Sequence, residues 1–409
     1  MANQLKRVSK LTITFLVDNN IEWMTKLPPG FTHELNQHIP HSQPASEDQG
    51  GVPVFDLNDF CCGAHGFAAL LETEPAVDPG DEGAATATTK KEYTLFDTGP
   101  DYLSLVRNIK ALQVPITKID RVVTSHWHSD HTGGLLSFLE LRNKCIEEGI
   151  TTPPPTGTAK PSTEKIDGSP AQCVVDVHPS RPHLRAIAPP PTWKTVLCAL
   201  PLDPSFEEIT AAGGILERRK DGHTVANGTV WISGEIPRVT EFEQGLLGGA
   251  RWVEKGEPGW TEDSEIGPIG ENATGRWIAE PHLMDERYAA VDVEGKGLVL
   301  FSSCSHAGIV NVAKDAVKAF NRPIYMVVGG LHLASADLYP RIDPTVSFFS
   351  TSLRPSPTYI LPMHCTGWKA KVALEKELGE GIVPTGAGHR VEIQGRREGD
   401  GTMWVEIAE

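Results

Sequence analysis

In the run SHWHSDHTGG, four side chains able to bind a metal crowd into six positions directly after an apolar stretch: His126, His128, Asp130 and His131. Few structural roles need such a cluster. A strand that ends in a turn can fan these groups around one point, so that His126 and His128 serve one divalent ion while Asp130 and His131 serve a neighbour. Imidazole and carboxylate suit zinc, which keeps an open position for water in catalytic sites. Turn residues with a chance histidine content are the bland alternative, and the density of ligand types counts against it. Gly133 and Gly134 then allow close backbone approach and the turn into a helix. Two further histidines end apolar strands, His306 after GLVLFSSCS and His364 after YILPM. Each alone reads as a hydrogen-bonded structural residue. Together, in a chain lacking third ligands for two metals, they complete a three-plus-three set.

Alternating β-branched and α-helical patterns must position these groups. Strands are expected at 11–17 (LTITFLV), 67–72, 93–99 (YTLFDTG) and 121–126 (RVVTSH), with helices at 101–112 and 133–148. The first ligand cluster thus sits on a loop at a strand's carboxyl end, where α/β folds favour ligand sites. Strands follow at 288–293, 297–303, 324–330 and 358–364, with a helix near 308–320 and two closing strands, HRVEIQ and TMWVEIA. Residues 73–91 read as a long hairpin tip, and the Pro-, Thr- and Ser-rich stretch 151–172 as a disordered insertion. No internal repeat is visible.

With 409 residues, length alone suggests two or three domains. The ligands fall on both sides of the middle segment, however, and must converge, so one domain over 1–409 with an insertion or cap over 142–286 is expected. A net charge of −16 argues against nucleic acid or an anionic membrane as partner. Nine acidic and two basic residues between 254 and 286 localise nearly half of it, and that stretch reads as solvated surface. The seven cysteines form no CxxC pair, which indicates neither a disulfide framework nor a zinc ribbon. No stretch approaches a membrane span and the start has no signal-peptide core, so a cytoplasmic location is the default.

With LFDTG (95–99) before the cluster and His306 and His364 after it, the chain resembles the metallo-β-lactamase superfamily. More narrowly, LVDNN (16–20), HGFAALLE (65–72), SGEIPRVTEFE (233–243), CSHAGIVN (304–311), GGLHL (329–333) and HCTG (364–367) resemble the branch of dihydropterin aminobenzene-phosphate synthases and of fungal lactamase-like hydrolases that open benzoxazolinones. The resemblance implies an α+β fold, an αββα sandwich with a dinuclear site at one edge and the large insertion between the first ligand cluster and the later ligands. By that analogy His126, His128 and His306 bind the first of two zinc ions, Asp130, His131 and His364 bind the second, and Asp97 is an acid behind the ligands. One departure matters. Many members carry a bridging Asp after the strand preceding the last His, where this chain has Leu331 and His332. Either the metals share only a water, or His332 acts as substrate contact, proton donor or alternative ligand. The HxExD pattern of diiron members is absent, which weakens an iron oxidoreductase reading.

Asn19 and His65 resemble pocket positions in this branch, with a plain turn or cap nearly as good an account. Cys304 and Cys365 read as small buried residues, Arg238 and Glu235 as a structural pair, and Trp193, Trp231, Trp252, Trp260 and Trp277 as either aromatic pocket walls or the core of a cap. The expected function is a zinc-dependent hydrolase in which a metal-bound hydroxide, oriented by Asp130, opens a small cyclic amide or ester, of lactam, lactone or benzoxazolinone-like xenobiotic type. His332 is the candidate for a substrate hydrogen bond or proton donor. The alternative is synthase chemistry on a pterin and an aminobenzene ribosyl phosphate, with Arg181, Arg185 and Lys194 as a phosphate pocket. A nuclease is disfavoured by charge, and a non-enzymatic metal scaffold is the last alternative. The partner is a small molecule; the sequence is silent on oligomeric state.

Overall fold

The computed structural model describes residues 5–76, 90–168, 171–261, 266–267 and 273–408. One hydrogen-bonded path runs through Tyr359–Met363, Ile324–Gly330, Gly297–Ser302, Ala289–Val293, Val8–Val17, Ala68–Pro75, Glu92–Phe96, Arg121–Val123, Val174–Val177 and Ile215–Arg218. Its two halves are linked at a single parallel partner pair, Val8 with Val293. Alternation along the strands shows how the halves fold together. Ala289, Val291, Val299, Phe301, Met326 and Val328 from one half share a core with Leu11, Ile13, Ala69, Leu71, Phe96 and Val123 from the other. Their neighbours in sequence point outward. Ala290, Leu298, Leu300 and Val327 pack against the helix Ile309–Phe320, while Ala68, Leu70, Leu95 and Val122 pack against the helices Ser104–Ala111 and Leu135–Glu147. Helices outside, two sheet faces inside: this is the expected αββα sandwich, and a one-residue slip in any strand would exchange its two faces.

Strand and helix positions follow the hydrophobic periods closely, with three differences. The segment TMWVEIA forms only the two-residue strand Glu406–Ile407, after a 3-10 turn at Asp400–Thr402. Residues 142–286 are not wholly a cap, because Val174–Val177, Ile215–Arg218 and Val230–Ile232 pair within the main sheet. Only Leu184–Ile187, Cys198–Ala199, Gly249–Glu254 and Gly275–Ala279 form a separate four-stranded sheet, where Trp252 and Trp277 meet edge to face as cross-strand partners. Residues 151–168 hold no helix or strand, yet they are tied down: Asp59 accepts from the Gly157 and Ala159 amides at 2.5 and 2.7 Å, and Asp56 from Thr158 at 3.0 Å. Most of the expected hairpin tip, 77–89, and part of the acidic stretch lie outside the described residues. The strands on either side of that tip, Ala68–Pro75 and Glu92–Phe96, do pair antiparallel. Among the described residues no helix is long and apolar enough to cross a membrane.

Candidate metal centre

The short strand Arg121–Val123 ends in Thr124 and Ser125, and the chain then turns through His126, Trp127 and His128 into a one-turn helix, Ser129–Thr132. The residue between the two histidines is bolted at both backbone groups. Asp285 accepts the Trp127 amide at 2.7 Å and Arg185 donates to its carbonyl at 2.6 Å, while the buried indole donates to the His178 carbonyl. Arg185 and Asp285 pair at 2.6 Å, with Glu280 on the far side of the guanidinium at 2.7 Å. The loop can come this close to its neighbours because Gly133 and Gly134 have no side chain. A Cβ there would stand 2.1 Å from the Pro100 and Thr98 carbonyl oxygens respectively.

Asp97, fully buried at the end of Glu92–Phe96, sets the orientation of two rings. One carboxylate oxygen accepts the Ser125 amide at 2.6 Å; the other accepts the Ser125 hydroxyl at 2.7 Å and His131 Nδ1–H at 2.9 Å. The same Ser125 hydroxyl accepts His126 Nδ1–H at 2.8 Å. A proton is thereby held on each Nδ1, and both Nε2 atoms face inward. His126 Nε2 lies 3.0 Å from His128 Nδ1, and His131 Nε2 lies 3.6 Å from Asp130.

The other half-sheet supplies the remaining donors. His364 follows Tyr359–Met363; its amide donates to Asp18 at 2.7 Å and its Nδ1–H to Asn19 at 3.0 Å, so that Nε2 faces Asp130 at 3.3 Å. His306 follows Gly297–Ser302, with its amide on Glu286 at 2.7 Å. Both His306 ring nitrogens are buried with no hydrogen-bond partner among the described residues. Its ring centroid lies 5.0 Å from those of His126 and His128. Asp97, Ser305, His332 and His364 all adopt left-handed backbone, a strained conformation for such residues that clusters at functional sites.

Two tight groupings of ligand atoms result, each within 4.8 Å throughout: Asp130, His131, Cys304 and His364, and His126, Cys304 and His306. His128 adjoins the second through His126. The six expected ligands are therefore brought together, and Cys304, expected as plain core, stands among them. Its Sγ is 3.1 Å from His131 Nε2. His332 is half-buried with its ring 4.4 Å from that of His306, outside both groupings. Asn19 orients His364, and its amide also meets His65 Nδ1 at 3.0 Å. His65 is 70% exposed at the rim, 3.8 Å from Asp130.

Electrostatics favours cation binding. Burial, with the neighbouring histidines, holds His126 and His306 well below their usual range, and burial with the Arg185 charge holds His128 at about 3. These rings are neutral and their lone pairs free. Burial opposes ionisation of Asp130, but His131 and His364 outweigh it and keep the carboxyl well below its usual range. Burial opposes the charged form of His131, but the Asp130 and Asp97 carboxylates outweigh it and raise the ring to about 9, so an incoming ion displaces its Nε2 proton. Inward-facing ring nitrogens beside an ionised carboxylate fit a pair of divalent ions of the zinc class. Two of the three basic residues expected around a phosphate are otherwise engaged. Arg185 is spent on Asp285 and Glu280, and Arg181 donates to the Asp203 and Pro204 carbonyls. Arg238 turns to the Leu283 carbonyl and Met284 sulfur.

Comparisons agree with this geometry. The model of the metallo-beta-lactamase superfamily matches residues 85–196. The chain is 25% identical over 333 residues, 80% of its length and 90% of the relative's, to 7,8-dihydropterin-6-methyl-4-(beta-D-ribofuranosyl)-aminobenzene-5'-phosphate synthase of Methanocaldococcus jannaschii. It is 23% identical to an uncharacterized protein of the same organism, over 76% of this chain and 88% of that one. Among solved structures, Tm1679, described as a metal-dependent hydrolase of the beta-lactamase superfamily, superimposes with a TM-score of 0.54 at 18% identity, covering 94% of this chain and 99% of that one. With two helix-flanked sheet faces and the ligand-bearing strand ends gathered at one edge, the chain has the metallo-β-lactamase fold.

Proposed function

We propose that this chain is a metal-dependent hydrolase that opens a small cyclic amide or ester, with His126, His128 and His306 holding one divalent ion and Asp130, His131 and His364 the other. The observation that carries the reading is the convergence of the His131 and His364 Nε2 atoms on Asp130, whose side chain is still 23% exposed at the rim. Bound zinc supplies a Lewis acid and lowers the pKa of water toward about 7. The chain's own residues do the rest. Asp130 orients the attacking water and accepts its hydrogen bond. Asp97, through His131 and Ser125, and Asn19, through His364, keep the ring lone pairs aimed inward. His332, beside His306 and with both ring nitrogens buried and unpaired among the described residues, donates to the substrate or to its departing group. Burial of the other donors excludes bulk water from the reacting atoms and strengthens each polar contact.

Synthase chemistry is the second reading, favoured by the named activity of the Methanocaldococcus jannaschii relative. Against it stand the commitment of Arg185 to Asp285 and Glu280 and of Arg181 to backbone carbonyls, two of the three basic residues expected around the phosphate. The test is the purified protein, stripped by chelator and reloaded with zinc, offered lactams, lactones, benzoxazolinone and a phosphorylated pterin with an aminobenzene ribosyl phosphate. Zinc-dependent ring opening is expected. Turnover that survives complete metal removal, or condensation of the pterin pair alone, would overturn the proposal.

A further inference from the structure

Cys304 is the one residue common to both tight groupings of donor atoms found among the described residues. Its thiol is buried, and its Sγ faces His131 Nε2 at 3.1 Å, the ring nitrogen turned inward because Asp97 accepts Nδ1–H on the other side. On the other side lie His126 and His306, and both ring nitrogens of His306 are buried without a partner. A thiol filling space in a core needs neither arrangement. Asp130 is the only carboxylate in either grouping. Two dications balanced by that one carboxylate and neutral imidazoles would leave three excess positive charges in a water-poor site; one thiolate lowers the excess to two.

We infer that Cys304 is a metal ligand shared by the two ions, binding as thiolate between the Asp130–His131–His364 group and the His126–His306 group. The inference rests on the ion-binding part of the proposed function, not on the reaction assigned to it. On binding, the S–H proton leaves to solvent as the sulfur–metal bonds form. Cys365, whose Sγ stands 3.6 Å from that of Cys304 and 3.5 Å from its carbonyl oxygen, then donates a hydrogen bond to the sulfur from outside the metal pair. A sulfur ligand selects thiophilic ions, zinc or cobalt, over manganese and magnesium, which prefer oxygen.

The test is titration of the metal-free, full-length protein with Co(II) alone, with bound cobalt counted separately from the spectrum. Two equivalents are expected to bind, with an intense sulfur-to-cobalt charge-transfer band in the near ultraviolet that grows across both. That band disappears in Cys304→Ser and persists in Cys365→Ser. Two equivalents bound without the band in the wild-type protein, or a band that survives in Cys304→Ser, overturns the inference while leaving the ion sites standing. Failure to retain cobalt at all overturns the ion-binding reading and this inference with it. Should Cys304→Ser not fold, the wild-type and Cys365→Ser spectra decide alone, since the five other cysteines lie outside both groupings.

Discussion

Replacing Asp97 by asparagine removes one charge and almost no volume, and its effect on metal binding can be worked out atom by atom. The carboxylate accepts three hydrogen bonds: from the Ser125 amide on one oxygen, and from the Ser125 hydroxyl and His131 Nδ1–H on the other. An asparagine has a single acceptor oxygen. If that oxygen faces His131, the new NH₂ meets the Ser125 N–H across 2.6 Å, and a buried donor is left unpaired at a cost of about 1–3 kcal/mol. If it faces Ser125 N–H instead, the NH₂ meets His131 Nδ1, which must give up its proton to Nε2, the atom that should bind the ion. Loss of such a supporting acid typically weakens metal binding by about 10–100-fold, or about 1.4–2.7 kcal/mol. Because Asp97 acts on His131 directly and on His126 through Ser125, both ions are expected to lose affinity in Asp97→Asn. Competition with a chromophoric chelator measures each step. Wild-type affinity for both ions, with unaltered thermal stability, would refute this account of how the rings are aimed.

Two further outcomes follow from buried charges. Asp285→Ala leaves Arg185 with only Glu280 and strips the Trp127 amide of its acceptor; chemical denaturation is expected to show a loss of about 3–5 kcal/mol, accompanied by weaker zinc binding, and a loss under 1 kcal/mol would contradict the anchoring role. Glu243 caps the helix Ile309–Phe320 by accepting the Val310 and Asn311 amides, and burial raises its pKa to about 7 from an unfolded value of 4.5. The folded state then binds more protons than the unfolded one between these values, so the Glu243 contribution to stability is whole below pH 4.5 and falls as pH rises to 7, by up to about 3 kcal/mol. Thermal melts of wild type against Glu243→Gln should show the gap moving in the variant's favour across that window, and parallel curves would reject the assignment.

How much of this could be read before the fold was known depended on whether a residue acts through its type or through its neighbours. Four ligand types in six positions at a strand end have few other uses, so His126, His128, Asp130 and His131 were legible at once, and His306 and His364 followed from the apolar strands they terminate. Cys304 was not legible. A cysteine after an apolar strand is equally a core residue, and nothing in spacing tells that the end of Gly297–Ser302 abuts the loop after Arg121–Val123. Asp18, Glu286 and Asp285 escaped for a related reason: each acts on a distant backbone amide, and backbone donors carry no sequence signal. The strands inside 174–286 were hidden by their proline-rich surroundings, although VVDV has the β-branched character that could have raised them. Arg185, offered as part of a phosphate pocket under the alternative reading, pairs with Asp285 and Glu280, because a sequence shows an arginine's charge and conceals the carboxylates that neutralise it.

The strand Val8–Val17 lies between Ala68–Pro75 and Arg390–Gln394, bonded antiparallel to both along most of its length. On the ribosome, its first partner emerges soon after it, whereas the second comes after every other described strand of that sheet. At about 5–20 residues per second, the edge toward Arg390–Gln394 stays open for roughly 20–75 s. During that interval LTITFLV presents unpaired N–H and C=O groups on a β-branched, apolar strand, the kind of template onto which other chains add. The same delay governs loading, because His364 is seated on Asp18 and Asn19 at the end of this strand. A nascent chain can offer its first histidines to an ion early, but the paired centre exists only after the strand Tyr359–Met363 has emerged and seated His364 on Asp18 and Asn19.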